Sequence, residues 1–259
     1  MKVNRQPPAT DEFVPLVSHE IKNALTSVAG FSQLAQEAIR DHDDSLALEN
    51  LDIVRLETAR IFRLVEDLLD LAQVTAGKFS VRMEQVDLEK IVWDVASRYS
   101  RPTRRQIDVS VTENYPRVLG DALRLTQVLE NLLSNATKYS PMETTIRIAL
   151  SGSDSSLILS VWNDGTAIPA DEMPHVFQKF SRGTNMGHAD LTTTPIRGHG
   201  LGLFISKQIA ELHGGSMSVL SEEGSGTTFT VQLPRHPPPP DGEPIHGESD
   251  TASSATLQC

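Results

Sequence analysis

Two long heptad patterns open the chain and predict two helices. In residues 12–40 the apolar positions recur at alternating spacings of four and three, as they do on one face of an α-helix. The polar segment 41–45 interrupts this pattern, and a second apolar stripe runs from Leu51 to Ala72 before Gly77 ends it. Two helices with a short connection predict an antiparallel hairpin. Because one hairpin cannot cover both apolar faces, we expect a homodimer through residues 12–76 that forms a four-helix bundle.

The pattern changes after Gly77 to short alternating segments between shorter helices. Helices are predicted over 87–99, 121–138 and 200–213, with Asp121 as an N-cap and a glycine pair as the last stop. Alternation predicts strands at 107–112, 144–150, 157–162, 216–221 and 227–233. Such a mixture predicts two domains in all: an all-α hairpin, then an α/β (α+β) sandwich.

Domain boundaries follow from these changes of pattern. We predict an N-terminal extension over 1–11, the hairpin over 12–76, a linker over 77–86 and the sandwich domain over 87–236. Residues 237–259 are rich in Pro, Gly and Ser and predict a disordered tail.

Composition limits the partners. The net charge of −11 argues against nucleic acid, and the absence of 18 consecutive apolar residues argues against membrane insertion. Cys259 is the single cysteine, so a disulfide within the chain and a cysteine metal cluster are excluded. We expect a cytoplasmic chain, either on its own or as the soluble core of a longer membrane receptor.

The first candidate for chemistry is His19 on the first helix. It lies two positions from both Val17 and Ile21, so at about 100° per residue its ring points away from the apolar face toward water. A neutral imidazole can attack through one nitrogen while the other carries the proton, and Glu20 could accept a hydrogen bond from that proton. Asn23 lies one turn further on the same face. A histidine beside a glutamate is by itself more often a surface residue without a role, so the interpretation of His19 as a nucleophile depends on a second motif.

That second motif lies on the helix predicted over 121–138. Asn131, Asn135 and Lys138 are spaced four and three apart, so they share one helix face. Amide oxygens are ligands that Mg²⁺ accepts, and a lysine ammonium can meet phosphate oxygens. Tyr139 adds a flat ring for a base or ribose. A merely polar helix face is the weaker interpretation, because asparagine is a poor helix former in mid-helix.

Two glycine segments follow this helix. A strand ends on the polar pair Asn163 and Asp164 and turns at Gly165, with Ile168 shortly after. The second segment opens a helix whose N–H groups can bind phosphate. It contains Gly198, Gly200, Leu201, Gly202 and Leu203. The second segment is neither a P-loop nor a Rossmann fingerprint. Residues 181–197 between the segments have the composition of a lid, bordered by Phe180 and Arg182.

These segments together resemble a known family. Residues 18–25 resemble the phosphoacceptor box of two-component sensor histidine kinases. The Asn helix, both glycine segments and the Gly224–Thr227 turn resemble, in order, the boxes of its ATP-binding domain, of the class that includes gyrase, Hsp90 and MutL. The resemblance covers about residues 11–235, with Ala24, Asn163 and Ala167 as departures from the family pattern.

The resemblance implies ATP and Mg²⁺ as cofactors, autophosphorylation of His19, and transfer to an aspartate of a response-regulator receiver domain. It implies His19, Glu20 and Asn23 as catalytic residues and Asn131 and Asn135 as metal ligands. Glu20 and Asn23 also match the family's phosphatase pattern. The nucleotide-binding residues that it implies are Asn131, Asn135, Lys138, Tyr139, Asn163, Asp164, Gly165, Ile168, Phe180, Arg182, Gly198, Gly200, Leu201, Gly202, Leu203 and Thr227. Either Asn163 or Asp164 would accept the bond from adenine.

Two other functions remain open on the sequence alone. The three departures are compatible with a nucleotide-binding scaffold or pseudokinase that signals through partner binding. A pure ATPase is the third possibility, but its relatives usually carry a glutamate where Asn131 stands, and Asn131 cannot activate water as a base.

Overall fold

The structure is a computed structural model that describes residues 10–103, 105–112, 118–153, 155–181 and 200–235, without the side chains of 10–16 and 101–103. Its first part is a hairpin of two long helices, α1 (Thr10–Arg40) and α2 (Asp44–Thr75). The Asp43 side chain caps α2 by accepting a hydrogen bond from the Leu46 N–H. Gly77 follows α2 with φ +64°, a conformation that glycine adopts without strain. The predicted hairpin is confirmed.

The interior of the hairpin contains more polar groups than the sequence pattern indicated. On α1 the buried residues include Ala24, Ala35 and Ala38, which belong to the predicted stripe. On α2 the buried line runs through Ala47, Asn50, Glu57, Leu64 and Leu71. The predicted stripe that begins at Leu51 was therefore placed one residue too late at several positions. The cause is that Asn50 and Glu57 are buried inside the hairpin, on the side of α2 that faces α1, whereas Leu51 is exposed.

Several large apolar side chains remain exposed on the outside of the hairpin. We call this set the outer stripe: Leu25, Leu34, Ile39, Leu51, Phe62 and Leu69. Water contact with so much apolar surface is unfavourable, and a patch of this kind marks an interaction surface. The outer stripe agrees with the prediction of a homodimer, which stays a prediction.

The second part is a sheet covered on one face by helices. Its helices are α3 (Leu88–Thr103), α4 (Ala122–Tyr139) and α5 (Gly202–Leu212). Its strands are β1 (Glu84–Val86), β2 (Ile107–Val111), β3 (Val118–Gly120), β4 (Ile146–Gly152), β5 (Ser156–Asn163), β6 (Ser216–Glu222) and β7 (Gly226–Pro234). Five strands form one sheet in the order β2-β4-β5-β7-β6, in which only the β2–β4 pair is parallel. The predicted α/β sandwich is confirmed.

The helices and the sheet enclose one apolar core. Alternate residues of β4, namely Ile146, Ile148 and Leu150, are fully buried, as are Leu129 and Leu132 of α4. The short antiparallel pair β1–β3, which the sequence analysis missed, joins the segment after Gly77 to the residues just before α4. A short 3-10 helix, Met173–His175, follows the turn after β5. Because its leucine and valine side chains are buried, α4 packs with one side against the sheet, and its polar residues lie on the opposite side.

The hairpin contacts this domain through the C-terminal part of α2. One nitrogen of Arg124, in the first turn of α4, donates to both oxygens of Asp70 at 2.8 Å, and Gln127 donates to Asp70 at 2.7 Å. The Arg124 guanidinium also lies over the Phe79 ring, 4.6 Å from its centroid. None of the helices in the described part of the chain combines the length and the hydrophobicity that a membrane span requires.

Candidate nucleotide and phosphoacceptor site

His19 is exposed on α1, as predicted from the pattern. Its Nδ1 lies 3.1 Å from Nδ2 of Asn23, one helical turn further along. With the amide in this orientation Asn23 donates and Nδ1 accepts, so the other ring nitrogen, Nε2, takes no part in this contact. The His19 ring therefore lies outside the interface between α1 and α2, as a nucleophile that must reach another site requires.

Glu20 is placed differently from the prediction. Its carboxylate is buried and accepts a hydrogen bond from Nη2 of Arg60 on α2 at 2.6 Å, and Arg60 also pairs with Glu57 at 3.4 Å. Sequence analysis placed the Glu20 carboxylate beside the His19 ring, whereas in the structure this carboxylate is paired with Arg60. The physical reason is helical geometry, since adjacent residues point about 100° apart and Glu20 faces the inside of the hairpin. Asn23 takes the place beside the imidazole.

The Asn face of α4 forms where the sequence predicted it. Asp121 caps the helix by accepting hydrogen bonds from the N–H groups of Leu123 and Arg124, and the sheet side of the helix is buried leucine and valine. Asn131 donates through Nδ2 to the Gly202 carbonyl and to Oγ of Ser206, both at 3.2 Å. Asn135 is partly exposed one turn later on the same face. The amide oxygens of this face are the candidate Mg²⁺ ligands, because a hard cation takes oxygen ligands and an amide supplies one without adding charge.

Lys138 and Tyr139 form a pair at the C-terminal end of α4. The Lys138 ammonium donates to the Tyr139 hydroxyl at 2.9 Å and lies 4.5 Å from the centroid of its ring. Both side chains are accessible. The pair therefore presents a positive charge and an aromatic ring side by side, as a phosphate and a base or ribose would require.

The turn after β5 is built around Asn163 and Gly165. Asn163 is 3% exposed at the end of the strand, whereas Asp164 points to solvent. A Cβ on Gly165 would overlap the carbonyl oxygen of Tyr139 and lie 2.6 Å from Nδ2 of Asn163. Only glycine fits at this close approach, so the turn and the end of α4 are held in contact.

Thr227 and Ile168 join the same region. Thr227 is buried opposite Asn163 in the β5–β7 ladder. Its hydroxyl lies 2.6 Å from Oγ of Ser221, which in turn accepts a hydrogen bond from the Ile168 N–H at 2.9 Å. Ser221 was missed by the sequence analysis, because a lone serine near the end of an exposed edge strand carries no signal.

The second glycine segment meets the first turn of α5. Gly200 has φ +70° and accepts at its carbonyl a hydrogen bond from the Phe180 N–H at 2.8 Å. Leu201 is buried and Leu203 is partly buried. A Cβ on Gly202 would lie 3.2 Å from Cγ of Asn131, so the glycine lets the two helices approach closely. Gly198 and Arg182, also predicted for this site, lie outside the described residues.

The arrangement fits a nucleotide with Mg²⁺ by its chemistry. The structure brings together the Asn face of α4, the Asn163–Gly165 turn and the N-terminal end of α5. These elements offer amide oxygens for a hard cation, a lysine and helix N–H groups for phosphate, and a buried amide for a base. The sequence analysis also missed Ser206, whose fully buried hydroxyl accepts a hydrogen bond from Asn131. Its only signal in the sequence is that it is a polar residue within an apolar helix.

Comparison with known proteins gives matches over both parts of the chain. Residues 9–77 match the His Kinase A (phospho-acceptor) domain, and residues 120–237 match the histidine kinase-, DNA gyrase B- and HSP90-like ATPase family. Sensor protein SrrB of Staphylococcus aureus is 34% identical over 228 residues, which are 86% of this chain and 38% of SrrB. The chain thus spans well under half the length of this relative.

Solved structures show the same architecture. The mycobacterial sensor histidine kinase MprB is 29% identical with a TM-score of 0.50, over 60% of this chain and 99% of MprB. The histidine kinase ThkA, solved in complex with the response regulator protein TrrA, is 24% identical with a TM-score of 0.59, over 87% of this chain and 62% of ThkA. The chain belongs to the two-component sensor histidine kinases and carries the phospho-acceptor and ATPase domains that define their catalytic core.

Proposed function

We propose that this chain is an ATP-dependent protein histidine kinase that phosphorylates His19 and passes the phosphoryl group to an aspartate of a response regulator. The observation that carries the proposal is the exposed His19 on a hairpin whose second helix contacts an ATPase-type domain through Asp70 and Arg124. Phosphoryl transfer depends on positioning and charge neutralisation more than on a strong base, and the site offers both.

Nucleotide binding is assigned to the elements around α4. Asn131 and Asn135 would hold Mg²⁺ through their amide oxygens, and Lys138 with the N–H groups at the start of α5 would bind phosphate. Asn163, buried at the end of β5, would accept the hydrogen bond from the adenine amino group, and Asp164 is the weaker candidate because it points to solvent. ATP supplies the phosphoryl group, and Mg²⁺ neutralises its charge.

His19 acts as the nucleophile through Nε2, the ring nitrogen that does not contact Asn23. This nitrogen has a free lone pair only in the tautomer with the proton on Nδ1. The amide of Asn23 can stabilise that tautomer, since rotation of the amide places Oδ1 rather than Nδ2 beside the ring. Glu20 can serve the same purpose only after its carboxylate leaves Arg60.

Incubation with γ-labelled ATP and Mg²⁺ tests the kinase. We expect acid-labile, base-stable label on the wild-type chain and none on His19→Gln. Steady phosphate release that survives His19→Gln would instead indicate a pure ATPase. Nucleotide binding without label in either protein would indicate a scaffold or pseudokinase.

A second activity is proposed for Asn23, that of a phosphatase residue for the phosphorylated regulator. Its support is the position of the amide, which lies on the exposed face beside His19 and can orient a water molecule there. We expect Asn23→Ala to slow dephosphorylation of a phosphorylated receiver domain more than it slows autophosphorylation, because the variant keeps the attacking nitrogen of His19 and loses only the amide that supports its tautomer. An Asn23→Ala variant that dephosphorylates the regulator at the wild-type rate would refute this role.

A homodimer is proposed through the outer stripe, so that a second hairpin covers these side chains in a four-helix bundle. Sedimentation of the whole chain over a range of concentrations tests it. We expect Phe62→Glu to shift the dimer to monomer, and a wild-type chain that stays monomeric at high concentration would contradict the proposal.

A further inference from the structure

Arg105 is a buried arginine that lies outside every motif considered so far. It lies two residues before β2, a strand at the edge of the sheet, and only 5% of its surface is exposed. Burial lowers the pKa of Arg105, because a charged guanidinium loses its hydration. A residue in this position is tolerated only if its N–H groups are satisfied by protein acceptors.

Four such acceptors lie at the C-terminal end of α4. Nη2 donates to the carbonyl oxygens of Thr137 at 2.8 Å and Ser140 at 2.6 Å. Nη1 donates to Oγ of Ser140 at 3.1 Å and to the carbonyl oxygen of Pro141. The last carbonyl groups of a helix lack N–H partners within the helix, and a cation here also interacts favourably with the helix dipole. Arg105 is therefore a C-terminal cap supplied from a distant part of the chain.

The capped turn carries one end of the nucleotide site. Lys138 and Tyr139 lie between Thr137 and Ser140, so the carbonyl groups that Arg105 binds flank both residues. The Tyr139 carbonyl itself lies against Gly165, at the turn that holds Asn163. The other end of α4 has its own anchors in the Asp121 cap and the contact of Asn131 with α5.

We infer that Arg105 is a positioning residue of the nucleotide site, which holds the last turn of α4 against the Asn163–Gly165 turn and thereby sets the affinity for the adenosine part of the nucleotide. This inference rests on the proposed function, since it assigns the two elements to nucleotide binding. Lysine cannot replace Arg105 fully, because one ammonium group does not span the separate acceptors that a planar guanidinium reaches.

Calorimetric titration of the whole chain with ADP and Mg²⁺ tests the inference. We expect the Kd of Arg105→Met to rise roughly tenfold, the size of effect expected when a charge-assisted contact is lost. The matched control is Arg98→Met, which removes a second arginine that contacts α4, through Glu130 at 3.0 Å, but on the exposed surface. The control should bind ADP with the wild-type Kd.

Kinetics separate positioning from a general loss of structure. We expect Arg105→Met to raise the KM for ATP about as much as the Kd for ADP, while the autophosphorylation rate at saturating ATP changes by less than about twofold. Arg105→Lys should give an intermediate KM. A loosened fold would instead lower the saturated rate as well, and that result would overturn the inference.

The outcomes also separate this inference from the proposed function. A wild-type chain that does not bind ADP refutes the proposed function, whereas equal affinity of wild type and Arg105→Met refutes only the role of Arg105. If circular dichroism shows that Arg105→Met is unfolded, Ser140→Ala replaces it, since it removes one acceptor of the guanidinium. An unchanged ADP affinity of Ser140→Ala would then refute the inference.

Discussion

Asp67 on α2 gives a prediction about stability that can be worked out from its surroundings. The side chain is 6% exposed, and burial, with a further contribution from the charge of Asp70, raises the pKa of Asp67 to about 7, although Arg63 partly opposes the shift. In the unfolded chain the pKa of an aspartate is about 3.9. The folded protein therefore holds this proton more tightly than the unfolded chain, and the free energy of unfolding falls as the pH rises from about 4 to 7.

The magnitude follows from the shift. A raise of about three pKa units corresponds to about 4 kcal/mol over the whole range, of which roughly 2–3 kcal/mol falls between pH 5 and pH 8. Asp67→Asn removes the titration and keeps the shape of the side chain. Relative to wild type, the variant should therefore gain roughly 2–3 kcal/mol of unfolding free energy when the pH is raised from 5 to 8.

Urea unfolding followed by circular dichroism at a fixed protein concentration measures this gain. Asp52→Asn is the matched control, because it makes the same substitution on the same helix at an exposed side chain. If the difference between Asp67→Asn and wild type is the same at pH 5 and pH 8, the reasoning from burial is refuted.

Three further predictions concern other parts of the molecule. Gly165→Ala should weaken ADP binding at least tenfold, because its Cβ would overlap the Tyr139 carbonyl, whereas Gly30→Ala, with open space around it, should bind normally in the same titration. Arg124→Met should lower the unfolding free energy in urea by about 3 kcal/mol, because Asp70 would stay buried without its cation; recovery of stability in the double variant with Asp70→Asn would support this cause, and an unchanged single variant would contradict it. Burial lowers the pKa of His213, so the unfolded chain binds more protons as the pH drops below about 6.5 and stability should fall; His213→Gln should lose less stability between pH 7 and pH 5, and an equal loss would contradict the assignment.

The sequence predicted those parts of the fold that depend on local pattern. α4 was predicted within one residue, because an N-cap aspartate, an apolar side and a polar side all indicate the same helix. Strands β1 and β3 were missed, since three residues are too few to show alternation and their pairing joins distant segments. The shift of the buried line on α2 has a similar cause: the burial of Asn50 and Glu57 depends on a partner helix and not on their own polarity.

The candidate site was predictable to the extent that spacing along one helix decides it. The common face of Asn131, Asn135 and Lys138 needed only the helical period. The roles of Arg60 and Arg105 could not be predicted, because Arg60 meets Glu20 from 40 residues away and Arg105 meets Ser140 from 35 residues away. Side chains that act across the fold become visible only when the tertiary structure brings their partners together.

The cap of α4 has a mechanical consequence. Besides capping its own helix, the Asp121 carboxylate accepts a hydrogen bond from the Arg82 N–H at 2.9 Å, and the Asp121 N–H donates to Nε2 of His213 at 2.9 Å. The segment arriving from the hairpin and the far end of α5 are thus tied to the same residue. A displacement of the Arg82 backbone would therefore move the first turn of α4 and the C-terminal end of α5 together, so that Asp121 acts as a shared hinge point for the two helices.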